Sequence, residues 1–152
     1  MSLYAAAVTK ASLAANTTLG AVYNPGSGMR RIKVEEILAS CKSSPVDQEA
    51  EHHVRRTTTV GTIGTSVTPA PLDPAEAACA ALAAQAHSVE PTYTAATELL
   101  KFGLNARSLF RWVAMKDIQR LIVPATANNG LGFLTNQISG AFDGVVTAHF
   151  DE

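Results

Sequence analysis

Charged side chains are scarce in this sequence. Asp, Glu, Lys and Arg make up 16% of the 152 residues, against roughly a quarter in typical globular domains. Twelve basic residues balance thirteen acidic ones, so the basic surface that nucleic-acid binding requires is not expected. A domain this poor in charge is expected to bury apolar surface against a permanent partner, including further copies of itself as a dimer or trimer.

Long apolar runs and reactive motifs are also missing. Lys10 interrupts the one apolar stretch near the start, so neither an export signal nor a membrane-spanning helix is expected. The two cysteines, Cys41 and Cys79, form no CxxC motif, which favours buried thiols in a chain assembled in a reducing cytoplasm. There is no GxSxG nucleophile turn, and the GLG at 130–132 lacks the lysine of a phosphate loop. The sequence therefore predicts neither an enzyme nor a cofactor site.

The histidines do not show the spacing of metal ligands. His52 and His53 are adjacent, so in a strand their side chains point to opposite faces of the sheet. A metal site needs several ligands that converge on one point. No bound metal is expected.

Short β-like segments separated by turn residues dominate the chain. This pattern predicts one all-β domain over residues 1–152, a sandwich or jelly roll, with residues 1–20 as an optional extended arm. Residues 32–41 fit both strand alternation and a helical stripe, and the neighbouring strands favour a strand. The strands predicted in the last sixty residues are Tyr93–Phe102, Ser108–Met115, Leu121–Val123, Gly132–Thr135 and Val145–Phe150.

One helix is predicted, over about residues 74–86. Asp73 is a good capping residue, Pro74 suits the first helical position, and Glu76 completes a capping box. The alanine-rich run that follows, residues 75–86, has high helix propensity.

The segment from Ser108 to Met115 has apolar residues on both faces. It is therefore predicted to be a central strand covered on both sides, with Phe110 and Trp112 as the core anchors between two sheets. Lys116 and Asp117 are predicted to turn the chain at the sandwich edge.

Two groups of residues are candidates for a contact with another subunit. The first is a pair of basic doublets next to acidic residues, Arg30 with Arg31 and Arg55 with Arg56. The second is the terminal segment, in which the apolar face ending at Phe150 precedes two carboxylates that could pair with a basic patch on a neighbour. Its candidate residues are His149, Phe150, Asp151 and Glu152. The alternative is that this strand closes its own sheet and that the acids are solvated.

Several segments, in this order and spacing, resemble a family of small virion structural proteins of tailed bacteriophages. They are VTPAPLDPAEAA (67–78), VEPTYT (89–94), GLNARSLFRWVA (103–114), VPATANNGLG (123–132) and HFDE (149–152), and with their spacing they cover about two thirds of the chain. The resemblance implies a jelly-roll-like antiparallel β-sandwich that acts as a capsid decoration or cement protein. Its partner would be the major capsid protein, and its location the outer surface of the virion.

Other functions stay open at this stage. Within the virion the alternative is a neck, tail or fibre-attachment component. Outside that class, a jelly-roll module that binds carbohydrate or a host receptor is the other option.

Overall fold

Two antiparallel β-sheets, packed face to face, make up the computed structural model, which describes residues 2–43 and 47–152. The strands are β1 Leu3–Lys10, β2 Thr17–Tyr23, β3 Ile32–Ser43, β4 Glu49–Thr57, β5 Thr65–Val67, β6 Ala70–Pro71, β7 Leu82–Gln85, β8 Tyr93–Asn105, β9 Phe110–Val113, β10 Leu121–Val123, β11 Gly130–Ile138 and β12 Asp143–Asp151. A single 3-10 turn, Asp117–Gln119, links β9 to β10. The predicted all-β sandwich is confirmed, while jelly-roll connectivity stays a prediction.

The strand order defines which edges of the sandwich lack a neighbour. Sheet I runs β10-β3-β12-β1-β6, and β9 pairs with β3 further along the same edge as β10. Sheet II runs β5-β7-β2-β11-β4-β8. Strands β8, β9 and β10 therefore each pair on one side only, among the residues described.

Alternation of apolar residues places β1 and β12 at the centre of sheet I. Their inward side chains are buried and stand opposite one another, as expected for strands with one face on the core. The facing pairs are Tyr4 with Phe150, Ala6 with Ala148, and Val8 with Val146.

A bulge explains the mixed pattern of residues 32–41. Val34 faces Phe150 and Glu36 faces His149, so Glu35 is an extra residue in β3. The extra residue changes which positions of β3 point into the core. Val34 and Ile37 are therefore both fully buried although they are three positions apart. The preferred strand is confirmed, and the helical stripe is a consequence of the bulge.

The helix predicted at 74–86 is wrong. Asp73 does cap a turn, since its carboxylate accepts a hydrogen bond from the Ala75 N–H at 2.9 Å, but the turn ends at Glu76. The alanines that follow lead into β7, which pairs with β2 on one side and β5 on the other. Hydrogen bonding on both edges and burial of Ala83 and Ala84 outweigh the helix propensity of alanine.

The option of an extended N-terminal arm over residues 1–20 is also wrong. Residues 3–10 form β1, which pairs along its whole length with β12 and at Tyr4 and Ala5 with β6. Residues 17–23 form β2, between β7 and β11.

The strand that carries Trp112 is not central. Strand β9 lies at the edge of sheet I, where Arg111 and Val113 face solvent and Phe110 and Trp112 are partly buried against the margin of the core. The expectation that Phe110 and Trp112 anchor the middle of the core is therefore wrong. One face of the strand packs against the margin of the core, and the other face is exposed to solvent although it carries Val113.

Candidate interaction surface

The C-terminal strand uses its predicted contact residues within its own fold. Phe150 is fully buried, and its ring centroid lies 6.0 Å from that of Tyr4. Asp151 is only 1% exposed, and its Oδ2 lies 2.7 Å from Nη1 of Arg120. The assignment of Phe150 and Asp151 to an external contact is wrong, because the strand lies between β1 and β3 inside sheet I and Asp151 is paired, not solvated.

The other two terminal residues are also held inside the molecule. Glu152 accepts hydrogen bonds from the backbone N–H groups of Ala80 and Ala81, at 2.8 and 3.0 Å. His149 lies with its Nδ1 2.6 Å from Oε2 of Glu36, which also contacts Arg111. These two bonds, to His149 first and to Arg111 second, lower the pKa of Glu36.

The four arginines of the basic doublets separate into two pairs. Arg55 donates to the Thr94 carbonyl at 3.1 Å and lies over the Tyr93 ring, with its guanidinium carbon 5.5 Å from the ring centroid. Arg56 donates to the Ile122 carbonyl at 3.3 Å, a bond that joins sheet II to sheet I. Arg30 and Arg31 are exposed, so they alone of the four stay candidates for a charged contact.

Cys41 and Cys79 form no disulfide. The sequence predicts buried thiols, whereas both cysteines are only partly buried. Burial raises the pKa of the Cys79 thiol to about 12, so this thiol is protonated at neutral pH.

His52 lies on the inner face of β4 and is 6% exposed. Its Nδ1 contacts Oγ1 of Thr135 at 3.2 Å, and its ring lies 5.5 Å from that of Phe102. Its Nε2 has no hydrogen-bond partner among the residues that the structure describes. Burial without a counter-charge lowers the pKa of His52 to about 4.

This lowered pKa predicts a loss of stability on mild acidification. Between pH 6.5 and pH 4 the imidazole of the unfolded chain binds a proton that the folded chain does not, so the free energy of unfolding falls as the pH falls. The shift from 6.5 to about 4 corresponds to a loss of at most about 3 kcal/mol. Urea unfolding at pH 7, 6 and 5 measures it, and His52→Gln should show a flatter profile. Equal slopes for both proteins would contradict the assignment, since the pKa of His87 is also lowered by burial and would then be the source.

A groove lies at the end of sheet II that β4, β8 and β11 share, and it is called the polar groove below. It has a volume of about 560 Å³, is open to solvent, and is lined by carboxylate, amide and hydroxyl side chains together with Ala50, Leu104 and Ile138. Hydrogen bonds from Asn136, His53 and Lys101, in that order, lower the pKa of Glu51 to about 2, so its carboxylate is ionised. The polar side chains lining the groove are Glu49, Glu51, Asn105, Gln137 and Ser139.

Exposed apolar side chains concentrate around β9 and the turn that follows it, at the edge of the sandwich where β8, β9 and β10 lie. Seven large apolar side chains are exposed in the described chain, and four of them fall within residues 109–118. Met115 is 88% exposed and Ile118 90%. Exposed apolar side chains in this number on one small region make it a candidate interaction surface.

A hollow of about 500 Å³ lies next to these side chains, between the unpaired edges of the two sheets. It is called the edge hollow below. At one place the two edges touch, where the rings of Phe102 and Phe110 stack with centroids 3.6 Å apart. The hollow is lined by Leu99, Leu100, Trp112, Val113, Met115, Gln119 and Leu121.

The sequence predicts a turn at Lys116 and Asp117 and does not predict this surface. Lys116 and Asp117 are indeed solvent-exposed, and no strand forms there. The available signal was that Met115 and Ile118 are large apolar residues inside a charged connection, where a solvated turn would not need them.

Residues 2–43 and 47–152 also bear on metal binding and on membrane insertion. This part of the chain holds no group of three or more His, Cys, Asp or Glu residues arranged for a metal ion. It also contains no helix with the length and hydrophobicity to span a membrane.

Comparison with protein families, curated proteins and solved structures finds no match for this chain.

Proposed function

We propose that this chain is a non-catalytic structural protein of a tailed-bacteriophage virion, a decoration protein that binds the outside of the capsid and stabilises capsomer junctions. The observation that supports it most is the apolar edge around Met115 and Ile118, which an isolated domain leaves in water. Burial of apolar surface is the main favourable term in protein association. The segments that resemble phage virion proteins support the choice of the major capsid protein as partner.

Side-chain bonds elsewhere in the fold connect separate strands, as a rigid structural protein requires. Arg56 joins the sheets at the Ile122 carbonyl, and Arg120 joins β3 to the end of β12 by contacting both Glu35 and Asp151. Bonds that span separate elements hold the exposed edge in one geometry. A preordered contact surface loses less conformational entropy when it binds.

The test uses particles of the phage that encodes the chain. We expect quantitative mass spectrometry to find a copy number comparable to that of the major capsid protein, and a particle reconstruction to place the sandwich on the outer shell. A copy number far below that of the capsid protein, with density at the neck or tail, would support the neck or tail role instead. Absence from purified particles would contradict a virion role altogether.

The polar groove of sheet II provides a second candidate function. Its carboxylates, amides and hydroxyl are donors and acceptors that suit a polyhydroxylated ligand. A carbohydrate- or receptor-binding module is therefore the alternative. Glycan-array binding by a protein that does not associate with particles would favour it over decoration.

A further inference from the structure

The edge hollow has a matching projection beside it on the same surface. Ile118 is 90% exposed at the 3-10 turn between β9 and β10, and it does not line the hollow. Residues on either side of it, Met115 and Gln119, do line the hollow. A projecting aliphatic side chain and an apolar recess thus lie next to each other.

The projection is held in place by local hydrogen bonds. The Gln119 N–H donates to the Lys116 carbonyl at 2.9 Å, and the Gln119 side chain accepts from the Met115 N–H at 3.1 Å. Asp117 contacts the guanidinium of Arg120 at 3.0 Å. The turn is therefore ordered before any contact forms, which lowers the entropy cost of using Ile118 as an anchor.

We infer that the occupant of the edge hollow is a second copy of this chain, related by a two-fold axis, with Ile118 of each copy inserted into the hollow of the other. A two-fold contact uses the same patch on both partners, so it requires a projection and a recess in one patch. The edge hollow and Ile118 meet that requirement. The inference rests on the proposed assembly function and assigns the apolar edge to the contact between two copies, so the unit that decorates the capsid would be the dimer.

The charges around the patch favour a second copy over a strongly charged partner. Lys116 and Asp117 flank Ile118, and Glu98 and Lys101 flank the two leucines of β8 that line the hollow. Asp117, Lys101 and Glu98 already contact Arg120, Glu51 and His53 within the chain, so the rim carries mixed and largely compensated charge. Such a neutral, mixed rim gives no net attraction for a strongly acidic or basic surface.

The unpaired strand edges support the same arrangement. Strand β8 ends sheet II and β9 and β10 end sheet I, and no strand in the described chain covers their outer backbone groups. Exposed strand edges are prone to association unless something shields them. A second copy seated on this edge would shield them.

The test needs only the purified chain, so its failure is distinct from failure of the capsid proposal, which is tested on particles. We expect sedimentation velocity to show a species of twice the 15.9 kDa chain mass that dissociates on dilution. Ile118→Glu should shift it to monomer at all concentrations tested. Leu72→Glu is the matched control, because Leu72 is also an exposed aliphatic residue, 51% exposed, but follows β6 at the opposite edge of sheet I.

Trp112 provides an independent optical readout, because it is the single tryptophan of the chain and lines the hollow. Its emission should shift to the red as wild-type protein is diluted through the dissociation range, and should be red-shifted in Ile118→Glu throughout. Each of four results would overturn the inference. They are a monomeric wild type, an oligomer of three times the chain mass, an oligomer that persists in Ile118→Glu, and Trp112 emission that does not change when the oligomer dissociates.

Discussion

Replacing Phe150 by alanine is expected to lower the free energy of unfolding by about 3–5 kcal/mol. Phe150 is fully buried on β12, packs against Tyr4, and faces the bulge of β3 at Val34. The surrounding strands are hydrogen-bonded on both sides and cannot close around the space that the ring leaves. Urea unfolding of the purified variant measures the loss.

Trp112→Ala is the matched comparison for this prediction. Trp112 lines a hollow that opens to solvent, so truncation admits water instead of creating an empty cavity. We expect a smaller loss, about 2 kcal/mol, measured at a concentration where the chain is monomeric. A loss for Trp112→Ala that equals or exceeds that of Phe150→Ala would show that the tryptophan belongs to the core after all.

Replacing Asp151 by alanine is expected to cost about 3 kcal/mol, near the lower end of the range for breaking a buried ion pair. Its carboxylate is 1% exposed and lies 2.7 Å from Arg120 and 3.6 Å from Lys33. Removal leaves the guanidinium largely buried with less compensation, although Glu35 still contacts it at 2.8 Å. Thermal or urea unfolding at neutral pH and at two salt concentrations measures the effect, which should depend little on salt.

Asp117→Ala provides the control, because Asp117 contacts the same guanidinium at 3.0 Å but its side chain is 85% exposed. Exposed ion pairs contribute little, so we expect a loss of about 0.5 kcal/mol or less. Similar losses of stability for the two variants would mean that burial of the ion pair does not determine its strength.

The folding class and most strands follow from local patterns. Strand β12 alternates small or apolar residues with polar ones, and the predicted segment Val145–Phe150 lies within the observed Asp143–Asp151. The predicted Leu121–Val123 matches β10, and Gly132–Thr135 lies within β11. These segments alternate because one face of each strand packs on the core and the other does not. That pattern can be read from consecutive residues of the sequence.

Prediction failed where the outcome depended on distant partners. The alanines before β7 have a strong helix propensity, but β2 and β5 supply hydrogen bonds to both edges of an extended chain. The side chain of Asp151 looked solvated at the end of a strand, but Arg120 reaches it across 31 positions. Neither partner is visible from the residues next to the site.

The candidate surface shows the same division. The apolar character of Trp112, Met115 and Ile118 is evident from the sequence. Whether that surface is buried in the core or left at an open edge depends on where β9 joins the sheet. It pairs with β3 alone, and pairing between strands more than seventy residues apart is set by the packing of the whole sandwich rather than by the strand's own residues.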